Sequence, residues 1–324
     1  MRYVQLAALA LALAGPSIAL AAGPGGYPSR PVTVVVPFAP GGGSDNIARY
    51  IVSRLSERTK ATFIIDNKPG AGTNIGNEFV SRAAPDGQTL LFGQVTLAIN
   101  PSVYKTLRYN VQKDFVPIAH IADSPTVLIV TSSLPVKSVK EFVSYAKSHP
   151  GTLNYGSGGK GTSVHLSGEL FSSLTGAQMV HVPYRGSALA MTDLIGGQVQ
   201  SMFDTAPSAL QHIKGGKVRA LAVTSLERNP VVPDLPTVAE AAGLPGYENV
   251  TWHSFAFPAG VSKKVLAKMH DEIVKVLKMP EVGDKIRAQG LEVVGNTPEQ
   301  LAARIKKESA EYAKLVKEIG YQPQ

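Results

Sequence analysis

Two glycine-rich loops hold the residues best placed for chemistry. In the first, Pro37-Phe38-Ala39-Pro40 leads into Gly41-Gly42-Gly43-Ser44-Asp45. Pro37 and Pro40 each fix a φ angle, and the glycines let backbone N–H groups approach a bound group with no Cβ in the way. Ser44 or Asp45 is placed to cap a helix whose first turn presents unpaired N–H groups. Those groups favour a carboxylate or phosphate. The competing reading is a βα turn that binds nothing.

The second loop, Asn154-Tyr155-Gly156-Ser157-Gly158-Gly159-Lys160-Gly161-Thr162, carries the Gly-x-Gly-x-x-Gly spacing of a dinucleotide fingerprint. The next strand ends in Tyr184-Arg185 rather than in an acid for a ribose hydroxyl, although an arginine there is compatible with a 2′-phosphate. A Walker loop is ruled out, because Gly159-Lys160 is followed by Gly161 and Asn154 stands where the first glycine is required. What survives is a backbone surface from Ser157 to Thr162 at the start of a helix, suited to an anion or a carbonyl oxygen.

Around these loops stand single candidates, each with a plainer alternative. His165, one turn into the second helix, reads either as a ligand contact or as a capping or core histidine. Lys160 and Arg185 read as neutralising an acid or as solvated loop residues. Asp204 follows an apolar strand, where it accepts a hydrogen bond from a ligand hydroxyl, amine or protonated acid, or caps the next helix. Thr96 and Asn100 lie in a polar stretch after a third strand, where loops line the crevice of an open α/β sheet; an Asx turn before Pro101 is the rival.

Nucleophilic and metal chemistry find little support. The chain has no cysteine, and its seven histidines are scattered, without zinc-ligand spacing. No Gly-x-Ser-x-Gly elbow precedes a helix. No catalytic residue, metal or cofactor is expected.

The elements that must position these loops alternate. Val32, Val34, Val35 and Val36 form the continuous apolar run of a strand covered on both faces. Ile47, Ala48, Ile51, Val52 and Leu55 recur at helical spacing behind the first loop. A strand at 63–66, a helix at 74–84 and a strand at 89–93 complete a three-stranded parallel core, followed by a polar loop at 94–101. Apolar runs at 116–122 and 127–131 are separated by Asp123-Ser124-Pro125, which marks a domain crossing. A second series follows, with strands at 153–155, 179–182, 199–203 and 218–224 and helices between them. Residues 251–258 return the chain to the first domain, and helices at 263–277, 281–289 and 298–319 end it.

Residues 1–22 read as a cleavable signal peptide. Arg2 is a minimal positive start, the apolar core is too short to span a bilayer, and Ala19-Leu20-Ala21 offers a small-x-small cleavage site. Export argues against a soluble nicotinamide cofactor. The remainder suits two domains of roughly 120 to 180 residues each, drawn as 27–123 with 247–324, and 124–246. The 32 Lys and Arg against 24 Asp and Glu give a net charge of +8, but the basic residues are dispersed. Nucleic acid is therefore not expected as a partner.

The segments 37–45, Asp66-Asn67-Lys68-Pro69-Gly70-Ala71-Gly72-Thr73, Pro85-Asp86-Gly87, 154–158, Val182-Pro183-Tyr184-Arg185-Gly186 and Pro233-Asp234-Leu235-Pro236-Thr237 together resemble the motif series of the Bordetella uptake gene (Bug) family. These proteins are solute-binding receptors of tripartite tricarboxylate transporters. The resemblance spans the chain after its leader. It implies an α/β, two-domain periplasmic binding protein of the Venus-flytrap kind, acting as a monomer and handing a small carboxylate to membrane subunits. It also implies two opposed jaws, one from Phe38 to Ser44 with Phe38, Ala39, Gly42, Gly43 and Ser44, the other from Tyr155 to Thr162 with Tyr155, Ser157, Gly158, Gly161 and Thr162. Tyr184, Arg185 and Asp204 would flank them, with Thr96 nearby. Trp252-His253-Ser254 departs from the tryptophan, aromatic, glycine run of the family. A secreted α/β enzyme or nucleotide-binding protein using the same loops is the alternative.

Overall fold

The structure, a computed structural model, describes residues 26–323, so the leader read at 1–22 lies outside the described residues. Strands β1 (Val32–Val36), β2 (Phe63–Asn67) and β3 (Thr89–Gln94) form the expected parallel core, with Val34 paired to Ile65 on one side and Leu90 on the other. Helices α1 (Gly43–Thr59) and α2 (Asn74–Ser81) connect them. Val32, Val34 and Val36 pack with Ile47, Ile51 and Leu55 of α1, whereas Val35 joins Leu91 in a second cluster on the opposite face. Successive strand side chains point opposite ways and both faces are covered, which is why the run shows no polar alternation.

Helix α1 starts earlier than the capping pattern suggests. Its N-cap is Gly42, with no side-chain cap, and neither Ser44 nor Asp45 takes that role. Asp45 instead reaches back to accept the Gly41 N–H at 2.8 Å and an amide N–H of Asn67 at 2.8 Å. The 94–101 stretch is helical rather than a polar loop: α3 (Thr96–Val103) buries Leu97, Ile99 and Val103 against Leu301 and Ile305. Pro101 removes one backbone bond from this short helix, and the buried apolar contacts outweigh it.

The chain stays in one strand through Asp123-Ser124-Pro125, the stretch read as the domain crossing. One 17-residue strand, β4 (Phe115–Thr131), runs straight through. Pro125 falls where β4 changes partners, so its missing N–H costs little. Asp123 is held inside the strand by Arg304 Nη1, 3.0 Å from Oδ1, and by His120 Nε2 at 3.1 Å.

After β4 come α4 (Val139–Ser148), β5 (Leu153–Ser157), α5 (Ser163–Thr175), β6 (Met179–Pro183), α6 (Ser187–Ile195), β7 (Ser201–Thr205), α7 (Ala206–Lys214), β8 (Val218–Val223) and α8 (Val238–Ala242). β5 runs parallel to β6 and β7, while β4 is antiparallel to β7 and β8. β7 sits two residues later than the apolar run implied, which places Asp204 within the strand, paired with Val127. β9 (Val250–Pro258) returns antiparallel between β3 and β4, and α9 (Lys263–Leu277), α10 (Pro280–Arg287), β10 (Glu292–Val293) and α11 (Pro298–Glu318) follow. The strand order is β2-β1-β3-β9-β4-β7-β5-β6, with β8 and β10 also on β4. The second half has its own two-sided core, Leu128 and Val130 facing Phe142 and Phe171, Val127 and Ile129 facing Met191 and Leu210.

Candidate functional site

The carboxyl ends of β1, β3, β5, β6 and β7 all open onto one cavity of about 690 Å³, as the geometry of an α/β sheet requires of a ligand crevice. Ten of the residues singled out from the sequence line it: Phe38, Ala39, Gly42, Gly43, Ser44, Thr96, Gly158, Thr162, Arg185 and Asp204.

On the first side, the uncapped start of α1 leaves the N–H groups of Gly43, Ser44 and Asp45 without side-chain acceptors. Asp45 lies behind them. Burial opposes its ionisation, but hydrogen bonds from Arg49, Asn67 and the Gly41 N–H overcome this and hold its carboxyl below the usual range. The ionised carboxylate ties loop to helix and stays out of the cavity. Thr96, at the first turn of α3, accepts from Thr73 at 2.9 Å and completes this wall.

The second loop is built differently from the expectation. Much of its N–H surface is turned inward: Gly159 N–H donates to Ser157 Oγ at 3.1 Å, and Gly161 N–H to His165 Nδ1 at 3.2 Å. Thr162 caps α5 and donates to the Gly159 carbonyl at 2.7 Å. Gly158, Thr162, Ser163 and Val164 are what the loop shows to the cavity.

Five expected contacts therefore fall outside the cavity lining. Tyr155 is fully buried, lies over α5 and donates to Glu169; burial and the Glu169 carboxylate push its phenol far up. Ser157, two residues on and on the same strand face, meets His181 Nε2 at 2.6 Å. Gly161 faces Val103, where a Cβ would come within 2.9 Å of a methyl group. His165 is a core histidine, its ring 3.9 Å from that of His181 and tilted 37° to it, and burial pushes its pKa down to about 3. Tyr184 donates to Asp193 at 2.7 Å, and burial together with that carboxylate raises its pKa to about 12. Asn100 is also structural, donating to the Gly72 carbonyl at 3.0 Å and to Asn74 at 2.7 Å.

Asp204 is the most unusual wall residue. Its side chain is wholly buried, Oδ1 accepts the Thr205 N–H at 2.9 Å, and Oδ2 has no hydrogen-bond partner among the described residues. Burial lifts its pKa to about 6; the Ser208 hydroxyl and Thr205 N–H moderate the rise, though no bond of regular geometry joins Ser208 to Oδ2. The N-cap of α7 is Thr205, so the capping alternative for Asp204 does not hold.

Other wall residues escape a linear reading. Gln94 ends β3, and Ser187, Leu189 and Met191 come from α6. Gly186-Ser187 after β6 repeats the glycine-then-hydroxyl cue of the two main loops, so Ser187 was within reach of the same argument. Among the described residues, no group of three His, Cys, Asp or Glu side chains is placed to hold a metal, and no helix is long and apolar enough to cross a membrane.

Two α/β halves joined through the shared strand β4, with helix N-termini meeting at a cavity on the carboxyl ends of the strands, define a periplasmic binding protein of the α/β class. The sequence model described as tripartite tricarboxylate transporter family receptor matches residues 47–321, and the chain belongs to that family. The resemblance to the Bug proteins is borne out in the same comparisons. Protein BugT of Bordetella pertussis is 33% identical over 317 residues, covering 97% of each chain. The structure of R. palustris Rpa4515 with adipate aligns at a TM-score of 0.88 and 37% identity, covering 92% of this chain and 100% of that one. MatC from Rhodopseudomonas palustris with bound malate aligns at 0.84 and 33%, covering 90% and 100%.

Proposed function

We propose that this chain is a periplasmic receptor that captures a small carboxylate in the cavity between its halves and presents it to the membrane subunits of a tripartite tricarboxylate transporter. The observation that carries this reading is the uncapped first turn of α1, whose N–H groups at Gly43 and Ser44 open on the cavity and suit an anion. The acids held by two structural neighbours support it. Gly158 and Thr162 form the opposing jaw, and the unpartnered Oδ2 of Asp204 selects a ligand that also brings a donor, such as a hydroxyl, an ammonium or a protonated second carboxyl.

The working unit in this reading is a single exported chain, with 27–123 plus 247–324 as one domain and 124–246 as the other, hinged where β4 and β9 cross. A secreted enzyme is the weaker reading. Ser44 does meet His253, but His253 Nδ1 has no acidic partner among the described residues, so the pair lacks the group that orients a general base.

Thermal-shift screening against mono-, di- and tricarboxylates, hydroxy acids and amino acids tests the reading, since a ligand of the native state raises Tm. Small-angle scattering with the best acid should show a smaller radius of gyration on binding. A flat response to every acid in the panel would sink the proposal.

A further inference from the structure

Ser44 stands at the mouth of the first cradle, and its hydroxyl is held from behind by two residues remote in sequence. His253 Nε2 lies 3.1 Å from Ser44 Oγ, and Gln94 donates its amide N–H to the same oxygen at 3.3 Å. His253 belongs to β9 and is 1% exposed. Its ring is fixed by stacking on Phe92, with centroids 5.4 Å apart and planes 28° apart. Its other nitrogen, Nδ1, is buried and has no partner among the described residues.

These facts choose a tautomer. With the proton on Nδ1, a buried N–H would be left without an acceptor, an arrangement that folded proteins rarely tolerate. With the proton on Nε2, the N–H donates to Ser44 Oγ and the orphan is a bare ring nitrogen, the milder of the two defects. The cation would leave the same orphan N–H and add a buried charge. Burial and the neighbouring His120 push the His253 pKa down to about 3, with Asp123 pulling weakly the other way, so the ring is neutral near pH 7.

We propose that His253 is a positioning residue: its Nε2–H and the Gln94 amide occupy both lone pairs of Ser44 Oγ, leaving the Ser44 hydroxyl hydrogen to point into the cavity as an obligate donor to an anionic oxygen. Ser44 then acts with the N–H groups of α1 as a set of donors, and a ligand group that itself donates is turned away from this corner. The donor-seeking carboxylate of Asp204 lines another part of the same cavity. The two polar sites thus ask for opposite ends of a ligand.

The proposal rests on the receptor reading, and its test separates the two. In ligand-free protein carrying isotope-labelled histidine, long-range proton–nitrogen correlation spectra distinguish the tautomers. The expected result is a protonated Nε2 and a bare Nδ1 on the ring whose signal disappears in His253→Gln and moves in Ser44→Ala. A proton on Nδ1 would make Ser44 the donor to His253 and overturn the proposal.

Affinity for malate and adipate is the second readout. His253→Phe should bind at least about fivefold more weakly than the parent, while His253→Gln, which keeps a donor, stays within about twofold. Ser44→Ala with His253→Phe should bind no more weakly than Ser44→Ala alone. Losses that add would show that His253 acts without Ser44. If neither acid binds the parent, the receptor reading fails for those acids, and the tautomer spectrum still decides the role of His253.

Discussion

Gly43 and Pro207 bring the two halves of the molecule into van der Waals reach: a Cβ on Gly43 would stand 3.5 Å from Pro207 Cβ and 3.7 Å from Thr205 Oγ1. Alanine fits this gap, but the γ-methyls of valine project into it. Gly43→Val should therefore hold the halves apart and weaken carboxylate binding at least about tenfold, roughly 1.4 kcal/mol. Gly43→Ala should bind within about threefold of the parent, on the order of 0.65 kcal/mol. Calorimetry on both variants, with circular dichroism to confirm the fold, checks this; equal affinity for Val and parent would remove Gly43 from the site.

Asp204 should make the ligand-free protein less stable as pH rises. Its pKa is lifted from 3.8 to about 6 by burial, so between those values the folded state holds a proton that the unfolded state releases. The resulting penalty is absent at low pH and complete above about pH 6, on the order of 3 kcal/mol. Asp204→Asn should thus raise Tm at pH 7.5, leave it nearly unchanged at pH 4, and lose ligand affinity. An Asn variant less stable than the parent at pH 7.5 would show that the carboxylate is satisfied in the fold.

The buried histidines act in the opposite direction. Burial pushes the pKa of His165 down to about 3, and burial with the Lys160 charge pushes that of His181 down to about 4. Each is neutral when folded and gains a proton on unfolding below pH 6.5, so stability is lost as pH falls from there. At pH 5, His165 alone should account for a loss of about 2 kcal/mol relative to pH 7.5. In urea titrations at the two pH values, His165→Gln should show a correspondingly smaller difference. An undiminished difference would mean that another group carries the acid sensitivity.

Arg185 lines the cavity yet is exposed, and Lys160 lies outside the lining. If backbone N–H groups carry most of the anion's stabilisation, Arg185→Gln should cost about tenfold in affinity or less, and Lys160→Gln almost nothing. Dissociation constants for both variants decide the point. A loss above about a hundredfold at Arg185, within the 2 to 5 kcal/mol range of a truncated buried ion pair, would make that arginine the principal ligand.

Local chemistry alone was enough to read the alternation of strands and helices, the covered valine run of β1 and the two glycine loops at strand ends. Glycine, proline and apolar period act over a few residues, and the resemblance to the receptor family rests on the short motifs of those same loops. The same short range explains what could not be read. A loop can be recognised without knowing which way its atoms turn: Tyr155 and Ser157 lie on the face of β5 that meets α5 and His181, and so leave the cavity to Gly158. Asp123-Ser124-Pro125 separates two apolar runs in the sequence, yet Arg304, from the far end of the chain, pairs with the half-buried acid and keeps it within β4. Helix α3 looks like a polar loop until Leu301 and Ile305 cover its apolar side. Ser44 and His253 are separated by 209 positions, and only the pairing of β9 with β3 and β4 brings the imidazole behind the hydroxyl. Which polar atoms end up unpartnered, Asp204 Oδ2 and His253 Nδ1 among them, is decided by that packing, because satisfaction of a buried group depends on every element around it.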